Sequence, residues 1–152
     1  MIALIQRVSE ASVSVEQEVV GRIGSGLLAL VAVQPDDTEA SVERMVERIA
    51  TYRVFPDADD RMNESLLDQG LELLAVSQFT LAAATRKGRR PSFHRAAPPE
   101  IAVPIYEHFI ARLRRRGLTV GEGVFQAMME IELVNDGPVT VLLDPPRGRG
   151  EA

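Results

Sequence analysis

Cysteine is absent from this chain of 152 residues, and histidine occurs only twice. Without cysteine there is no disulfide, no thiolate zinc site and no thiol nucleophile, and two histidines are too few for a histidine-based metal cluster. No apolar stretch reaches the length of a membrane span, and residues 1–7 lack the basic-then-apolar layout of a secretory signal. These absences predict a cytoplasmic protein with no metal, no other cofactor and no membrane partner.

Basic residues are fewer than acidic ones, 17 against 22, and the net charge is −5. Proteins that coat nucleic acid indiscriminately neutralise phosphates with Lys and Arg, so this balance predicts no general binding to DNA. The basic residues nevertheless form two clusters: Arg86, Lys87, Arg89 and Arg90, and Arg112, Arg114, Arg115 and Arg116. Each is compatible with a basic face for local docking, and also with a plainer role as a solvated loop or a helix C-terminus.

The length and the 45% share of apolar residues suit one core. We predict a single domain over residues 1–144 and a disordered tail over residues 145–152. Period-two alternation and short apolar runs predict strands at residues 2–8, 13–15, 19–23, 27–33, 52–55, 71–80, 130–134 and 139–143. The first four would form a β-meander, with Gly24 and Gly26 in a hairpin turn.

Two helices are predicted from apolar residues that recur with helical spacing. The first begins near Thr38, and its apolar stripe is Val42, Met45, Val46 and Ile49. The second ends at Gly117, and its stripe is Ile105, Phe109 and Leu113. Pro104 leaves two possible starts for the second helix: near residue 103, with the proline at the tolerated first position, or at residue 98, with a kink at the proline.

Polar residues lie at the end of the apolar strand predicted at residues 71–80. A strand end can turn side chains and free amides toward a ligand. These residues are Ser77, Gln78 and Thr80. The plainer interpretation is a strand end whose hydroxyls bond to nearby backbone groups. A Ser or Thr nucleophile needs a base, and neither His94 nor His108 belongs to a recognisable triad motif, so a Ser-His-Asp mechanism is unsupported.

A second candidate feature is the motif NDGPVT at residues 135–140. Asp136-Gly137 between two apolar runs is typical of a tight hairpin. The proline directly after Gly137 favours a different interpretation, a cis peptide bond, because the cis form of an X-Pro bond is only about 0.5–1 kcal/mol higher in free energy than the trans form. A cis bond would fix two carbonyl oxygens in an uncommon orientation, in which they could recognise a substrate amine by geometry alone.

Four motifs together resemble one family over residues 1 to about 143: MIALIQRV with ASV at residues 1–13, SQFTL at 77–81, RPSF at 90–93 and NDGPVT at 135–140. The chain is similar to the D-aminoacyl-tRNA deacylases of the bacterial and eukaryotic type, the D-tyrosyl-tRNA deacylase family. The resemblance implies an α+β fold of layered β-sheets, barrel-like or as a three-layer ββα sandwich, packed with two main helices. It also implies a homodimer with the active site at the subunit interface.

The implied activity is that of a carboxylic ester hydrolase acting on the aminoacylated 3′ end of tRNA. It would cleave the ester bond of D-aminoacyl-tRNA and of mischarged glycyl-tRNA, as chiral proofreading in translation. A Gly-cis-Pro dipeptide, here Gly137-Pro138, would enter the partner's pocket and leave no room for an L side chain. Selectivity would then work by exclusion.

The resemblance also implies roles for individual residues. The catalytic residues would be Ser77, Gln78, Phe79 and Thr80. Backbone amides near Phe79 and Thr80 would stabilise the oxyanion while the neighbouring ribose hydroxyl assists water. The substrate-binding residues would be Gly137, Pro138, Phe125 and Arg7, which braces the Gly-Pro loop. The tRNA phosphates would contact Arg86, Lys87, Arg89 and Arg90.

One segment departs from the family pattern: EGVFQA, at residues 122–127, stands where the family commonly has Thr-Gly and a second small residue. Two other functions compete with the deacylase. One is a binder of tRNA ends without turnover, and the other is a small-molecule esterase that uses Ser77 or Thr80 as a nucleophile. Replacing Thr80 by alanine separates the esterase from a mechanism based on backbone amides.

Overall fold

The computed structural model describes residues 1–143, and the tail predicted at residues 145–152 lies outside them. Among the described residues the strands are β1 (Ile2–Val15), β2 (Glu18–Ile23), β3 (Gly26–Ala32), β4 (Phe55–Pro56), β5 (Met62–Glu64), β6 (Glu72–Ser77), β7 (Thr119–Glu122) and β8 (Glu130–Leu143). The helices are α1 (Glu39–Thr51), α2 (Leu66–Gln69) and α3 (Pro99–Arg115), with a 3-10 helix at Phe79–Ala82. None of these described helices combines the length and apolar character that crossing a membrane requires.

Six of the described strands form one mixed sheet. β2 and β3 pair one after the other with one edge of β1, β8 pairs with the opposite edge, and the order continues from β3 through β6 to β7. β1 is antiparallel to β2, β3 and β8, whereas β3, β6 and β7 run parallel. β7, at the end of this order, comes back against β2, so the sheet nearly closes into a barrel. The short strands β4 and β5 pair with each other.

The central strands β3 and β6 are buried on both faces, which explains their continuous apolar sequences. Alternate residues of a strand point to opposite sides. The residues on the side of α1 and α3 are Leu27, Ala29, Val31, Leu73 and Ala75. Those on the other side, Leu28, Leu74 and Val76, pack against β1, β2 and the first half of β8. A helical layer, the central strands and a second β layer result, and the predicted layered α+β fold is confirmed.

The prediction of a hairpin turn at Gly24 and Gly26 is wrong. β2 and β3 both pair with the same edge of β1, through Ala11 opposite Ile23 and Val8 opposite Gly26, so they continue one another in the same direction. The chain reverses earlier, at residues 16–17, and the β-meander is therefore one long hairpin with an interrupted second arm. Gly26 is needed for close packing instead, because a Cβ there would lie 1.8 Å from the Glu72 carbonyl oxygen.

Both predicted helices are confirmed. The predicted stripe of α1 is buried, and Thr38 is its N-cap. α3 begins at Pro99 and continues through the exposed Pro104. Of the two predicted starts, the one near residue 98 is therefore correct. Gly117 follows the cap with φ of +102°, and the Leu118 N–H donates to the Leu113 carbonyl oxygen at 3.3 Å, as in a Schellman motif.

Several predicted strand boundaries are wrong. Of residues 52–55, only Phe55 is extended in a ladder, because α1 runs on to Thr51 and the following apolar residues pack into the core without strand neighbours. The strand predicted at residues 71–80 ends at Ser77, where the chain turns into the 3-10 helix. The short elements α2, β5 and β7 were not predicted, since three or four residues are too few to show a period.

The basic cluster at the end of α3 is largely engaged within the chain. Three of its arginines donate to carboxylates: Arg112 Nη2 to Glu43 Oε2 at 2.8 Å, Arg114 Nη2 to Glu122 Oε2 at 2.9 Å and Arg116 Nε to Glu47 Oε2 at 3.0 Å. These hydrogen bonds hold the pKa of Glu43 and the pKa of Glu47 below their usual values. Of the two roles left open for this cluster, the structure favours the plainer one.

Candidate active site

The end of β6 brings polar groups to a pocket. The Gln78 N–H donates to the Val31 carbonyl oxygen at 2.8 Å, which extends the ladder by one residue before the 3-10 helix begins. The Leu81 N–H then donates to the Gln78 carbonyl oxygen at 3.2 Å. The first N–H groups of such a helix have no acceptor inside it. Those of Phe79 and Thr80 also have none elsewhere among the described residues, so they are available to a ligand.

The pocket beside them has a volume of about 730 Å³, within the usual range for small-ligand sites. Its polar side chains are Ser77, Gln78 and Gln126, and its aromatic ones are Phe79, Phe93 and Phe125. The rest of the wall is apolar: Ala32, Val33, Val76, Ala96, Ala97, Pro98, Pro99, Ala102, Ala127, Met128, Met129 and Ile131. None of these lining residues is charged, so the pocket recognises by shape and neutral hydrogen bonds.

Thr80 lies beside the pocket rather than in its lining, and its side chain is exposed. The Gln78 Nε2 donates a hydrogen bond to its Oγ1. A carboxamide cannot take up a proton as a base would, so this contact orients Thr80 without activating it. The Ser77 hydroxyl faces the pocket and has no hydrogen-bond partner among the described residues.

Phe125 forms a wall with buried support. Its ring centroid lies 5.7 Å from that of Tyr106, on α3. The Tyr106 hydroxyl donates to the Ala75 carbonyl oxygen at 3.2 Å, and burial raises the pKa of Tyr106, so the hydroxyl stays protonated. The Gly123 N–H donates to the same carbonyl oxygen at 3.2 Å. The position of Phe125 is therefore fixed from the core and from β6.

The first basic cluster lies in a loop whose base adjoins the rim of the pocket. Ala84 and Ser92 exchange two backbone hydrogen bonds, at 2.8 and 3.2 Å, which close the loop at its base. The cationic residues between them are exposed: Arg86, Lys87, Arg89 and Arg90. Next to this base, Phe93 meets Phe79 edge-on with ring centroids 5.1 Å apart. The aromatic contact joins the basic loop to the rim of the pocket.

Neither histidine belongs to the pocket lining. His94 Nδ1 lies 2.9 Å from Ser92 Oγ in the exposed basic loop. His108 is on α3, with its Nε2 3.7 Å from Glu39 Oε1. No histidine therefore reaches Ser77, and the described residues offer no Ser-His-Asp arrangement at this pocket.

The Gly-Pro motif forms a bulge in β8. Gln6 is opposite Thr140 and Val8 is opposite Asn135, so the single residue Arg7 faces the four residues 136–139. The Gly137-Pro138 bond is cis. Both halves of β8 continue along β1 in one direction, and the alternative of a tight hairpin at this motif is wrong.

Arg7 ties the bulge to the body of the protein. Its Nε donates to the Asp136 carbonyl oxygen at 3.1 Å, and its Nη1 donates to the Val54 carbonyl oxygen at 2.7 Å. Inside the bulge, the Val139 N–H donates to Asn135 Oδ1 at 3.2 Å. Asn135 Nδ2 and Gln6 Nε2 both donate to Thr140 Oγ1, at 3.0 and 3.1 Å. The bulge is thus held by side chains at its base and by an arginine across from it.

The bulge takes no part in the pocket of its own chain. Ile131, at the pocket wall, is opposite Val13 of β1, whereas the bulge is opposite Arg7. Six residues of strand separate those two positions of β1, a distance of about 20 Å. Gly137 and Pro138 are exposed, and neither lines the pocket. Within one chain, the motif therefore contributes nothing to the wall of the cavity.

Comparison with known proteins decides the family. The family model for D-Tyr-tRNA(Tyr) deacylase matches residues 4–144. The chain belongs to this family. It is 57% identical over 156 residues to the "D-aminoacyl-tRNA deacylase" of Roseiflexus castenholzii, with 99% of each chain covered. It is 51% identical over 153 residues to the protein of the same name from Herpetosiphon aurantiacus, with 99% of this chain and 100% of that one covered.

Two solved structures are similar to this member of the deacylase family. One, described as "c-Myc DNA Unwinding Element Binding Protein", has a TM-score of 0.92 and 40% identity, covering 97% of this chain and 100% of that one. The other, described as "Structural Analysis of a probable eukaryotic D-amino acid tRNA deacylase", has a TM-score of 0.83 and 17% identity, covering 95% and 98%. At 17% identity the second likeness concerns the fold alone. The family predicted from the motifs is confirmed, and with it a hydrolase.

The structure brings together only part of the residues singled out in the sequence of this deacylase-family chain. Ser77, Gln78, Phe79 and Phe125 share the pocket. Thr80 is adjacent to it, and the loop that carries the basic residues joins its rim next to Phe93. Arg7, Gly137 and Pro138 form a second group at the bulge.

Sequence reasoning missed three residues of the pocket and its support. Tyr106 was a usable signal, because it stands at helical spacing with Ala102, Phe109 and Leu113 on the buried stripe of α3. Gln126 lies in the segment 122–127 that departs from the family pattern but was not assigned a role, and Met129 gave no signal, since the loop that carries both residues has no period. Their place on the wall depends on the hydrogen bond between Gly123 and Ala75.

Proposed function

We propose that this chain hydrolyses the ester bond between a D-amino acid and the 3′-terminal ribose of tRNA, releasing the free amino acid and tRNA. The observation that carries the proposal is the pair of unengaged N–H groups of Phe79 and Thr80 beside an uncharged pocket. Developing negative charge on an ester oxygen is stabilised best by fixed donors in a site with little water. Residues 1–144 would act as one deacylase domain.

The chemistry needs no ionisable side chain. Water adds to the ester carbonyl carbon and gives up a proton to the neighbouring ribose hydroxyl, while the carbonyl oxygen takes negative charge near the Phe79 and Thr80 amides. The carbonyl then re-forms as the bond to the ribose oxygen breaks, and that hydroxyl passes the proton on to the leaving oxygen. The neighbouring ribose hydroxyl assists the water, since the pocket lining holds no histidine or carboxylate. Gln78 and Ser77 position the substrate on the side of β6.

Selectivity would come from a second copy of the chain. The bulge at Gly137 and Pro138 is exposed and contributes no residue to the lining of its own pocket, so it is available to the pocket of a partner. In such a homodimer the carbonyl groups of the bulge would bind the substrate α-amino group and leave no space for an L side chain. D-amino acids and glycine would pass, so mischarged glycyl-tRNA is a second substrate. The basic loop beside Phe93 would contact the phosphates of the tRNA 3′ end.

We expect catalytic amounts of the protein to deacylate D-aminoacyl-tRNA and glycyl-tRNA, and to leave L-aminoacyl-tRNA intact. Release of labelled amino acid over time measures both rates. Ala127→Trp fills the pocket and, purified in parallel, should be inactive, which attributes the activity to this protein. Equal hydrolysis of the D and L substrates, or of neither, contradicts the proposal.

Thr80→Ala should keep activity within about tenfold of the unmodified protein, because the backbone N–H groups remain when the hydroxyl is removed. A small-molecule esterase with Thr80 as nucleophile would instead lose about 1,000-fold or more. Thr80→Ser is the matched control, since it restores a hydroxyl. Full loss in Thr80→Ala together with recovery in Thr80→Ser would show that the hydroxyl attacks.

A further inference from the structure

Gln126 has an unusual backbone conformation on the pocket wall. Its φ is +64°, in the left-handed region that favours glycine. The Ala127 N–H donates to the Val124 carbonyl oxygen at 3.2 Å, so Gln126 is the third residue of a β-turn, where a positive φ selects Gly or Asn. A glutamine at such a position costs stability, and residues of this kind concentrate at functional sites.

Gln126 is set apart from the other non-glycine residues with positive φ among residues 1–143, which are Glu16, Gln17 and Asp60. Glu16 and Gln17 form the tight turn between β1 and β2, and Asp60 lies in the turn before β5. None of these three lines the pocket, whereas Gln126 does. A tight turn accounts for the positive φ at all four positions, but only at residue 126 does the turn place a polar side chain on the pocket wall.

The carboxamide of Gln126 is the unused amide of the pocket. Of the three polar side chains on the wall, Gln78 is already bonded to Thr80, and Ser77 is on the β6 side. Gln126 is exposed, and its carboxamide has no hydrogen-bond partner in the described part of the chain. It follows directly after the ring of Phe125, which is fixed against Tyr106. A donor, an acceptor and an aromatic face therefore occur together.

We propose that Gln126 binds the terminal adenine base of the substrate tRNA, with its carboxamide on the base edge that carries N7 and the exocyclic N6 amino group. This inference rests on the proposed function. A glutamine amide accepts from N6 and donates to N7 of adenine in one planar pair. The ring of Phe125 beside it provides a surface on which a base can stack.

The chemistry of the wall selects adenine over the other parts of the substrate. The amino-acid side chain varies among the D-aminoacyl substrates and is absent from glycine, so a fixed donor-acceptor pair has no constant group to bind there. Phosphate would need a cation, and the pocket lining holds none. The terminal adenine is neutral and is common to every tRNA, and it matches an uncharged carboxamide.

Gln126→Gly and Gln17→Gly form a matched pair for the test. Both replace a glutamine of positive φ, +64° and +68°, by the residue that this conformation favours, so both should raise the melting temperature by a similar few degrees. Only Gln126→Gly removes a side chain from the pocket. Lower stability therefore cannot account for a loss of function that occurs in Gln126→Gly and not in Gln17→Gly.

The probe is adenosine carrying D-alanine at the 3′ position through an amide in place of the ester, compared with its 7-deaza counterpart, in which C–H replaces N7. Calorimetry on the full chain measures both dissociation constants. The unmodified protein and Gln17→Gly should bind the adenine probe about tenfold more tightly than the 7-deaza probe. Gln126→Gly should bind both probes equally, and each at least about tenfold more weakly than the unmodified protein binds adenine.

The kinetic readout should agree, because contact with the base is the same in the ground state and the transition state. Gln126→Gly should raise KM for D-aminoacyl-tRNA about tenfold and change kcat by less than about twofold. Retained discrimination between the two probes in Gln126→Gly, or none in the unmodified protein, overturns the inference. If the unmodified protein binds the probes but does not hydrolyse D-aminoacyl-tRNA, the proposed function fails. Normal hydrolysis without discrimination overturns the role of Gln126 alone.

Discussion

Gly137→Ala is expected to lower kcat/KM for D-aminoacyl-tRNA by more than about 100-fold and to narrow the difference between D and L substrates. A Cβ at this position would lie 2.8 Å from Val139 Cγ2 and 3.0 Å from Arg7 Nη2, and the φ of +128° is one that L side chains rarely adopt. The bulge must then move, and its carbonyl groups move with it. Displacement by about 1 Å of a group that positions a substrate costs on the order of 100-fold in rate.

Gly70→Ala is the control for backbone strain. Gly70 also has a positive φ, +62°, but a Cβ there would meet nothing within 4 Å. Both variants should lose stability, the control by about 1 kcal/mol, while only Gly137→Ala loses activity. Melting curves and kinetics on both D and L substrates check this. Unchanged selectivity in a folded Gly137→Ala protein would mean that the bulge does not screen the substrate.

Mixing two inactive variants should restore activity if the bulge acts on the pocket of a partner. Gly137→Ala impairs the bulge and Ala127→Trp fills the pocket, and each homodimer then contains two defective sites. A heterodimer contains one site with an intact pocket and an intact bulge, and one with both defects. Random assembly makes half of the dimers mixed, so about one quarter of the activity of the unmodified protein should return.

Co-expression with two different affinity tags isolates the mixed dimers, and native mass spectrometry verifies their composition. Purified heterodimers should show about half of the activity of the unmodified dimer, since one of two sites works. Separate pockets and bulges acting within one chain predict no recovery at all. Inactive heterodimers of verified composition would therefore refute the cross-subunit arrangement, while hydrolysis by the unmodified protein would be unaffected by that result.

Local periodicity predicted much of the fold. The stripe of α1 and the glycine after α3 are correct because four apolar positions and one positive φ are set within a few residues of sequence. The hairpin turn predicted at Gly24 and Gly26 is wrong because the close approach of Gly26 to Glu72 depends on β6, which comes more than 40 residues later in the chain. Two glycines at a close contact read the same as two glycines in a turn.

The same distinction between local sequence and tertiary contacts applies to the site. The motif at residues 77–80 predicted the β6 side of the pocket, because those residues are consecutive and leave the sheet together. Tyr106, Gln126 and Met129 were not assigned to the site, since they reach the wall from a helix and a loop that tertiary contacts position. The bulge was identified as unusual, yet its place outside the wall of the pocket became visible only in the folded chain.

The bulge also bears on whether molecules of this protein aggregate through the exposed edge of β8. β8 has 14 residues and pairs on one side with β1, and no strand covers its other side among the described residues. A straight edge of that length presents a continuous row of free N–H and C=O groups, which invites uncontrolled strand addition and aggregation. Four looped-out residues, one of them a proline without an N–H, divide the edge into two short pieces. The same residues that would inspect a substrate thus also help to keep the protein from polymerising.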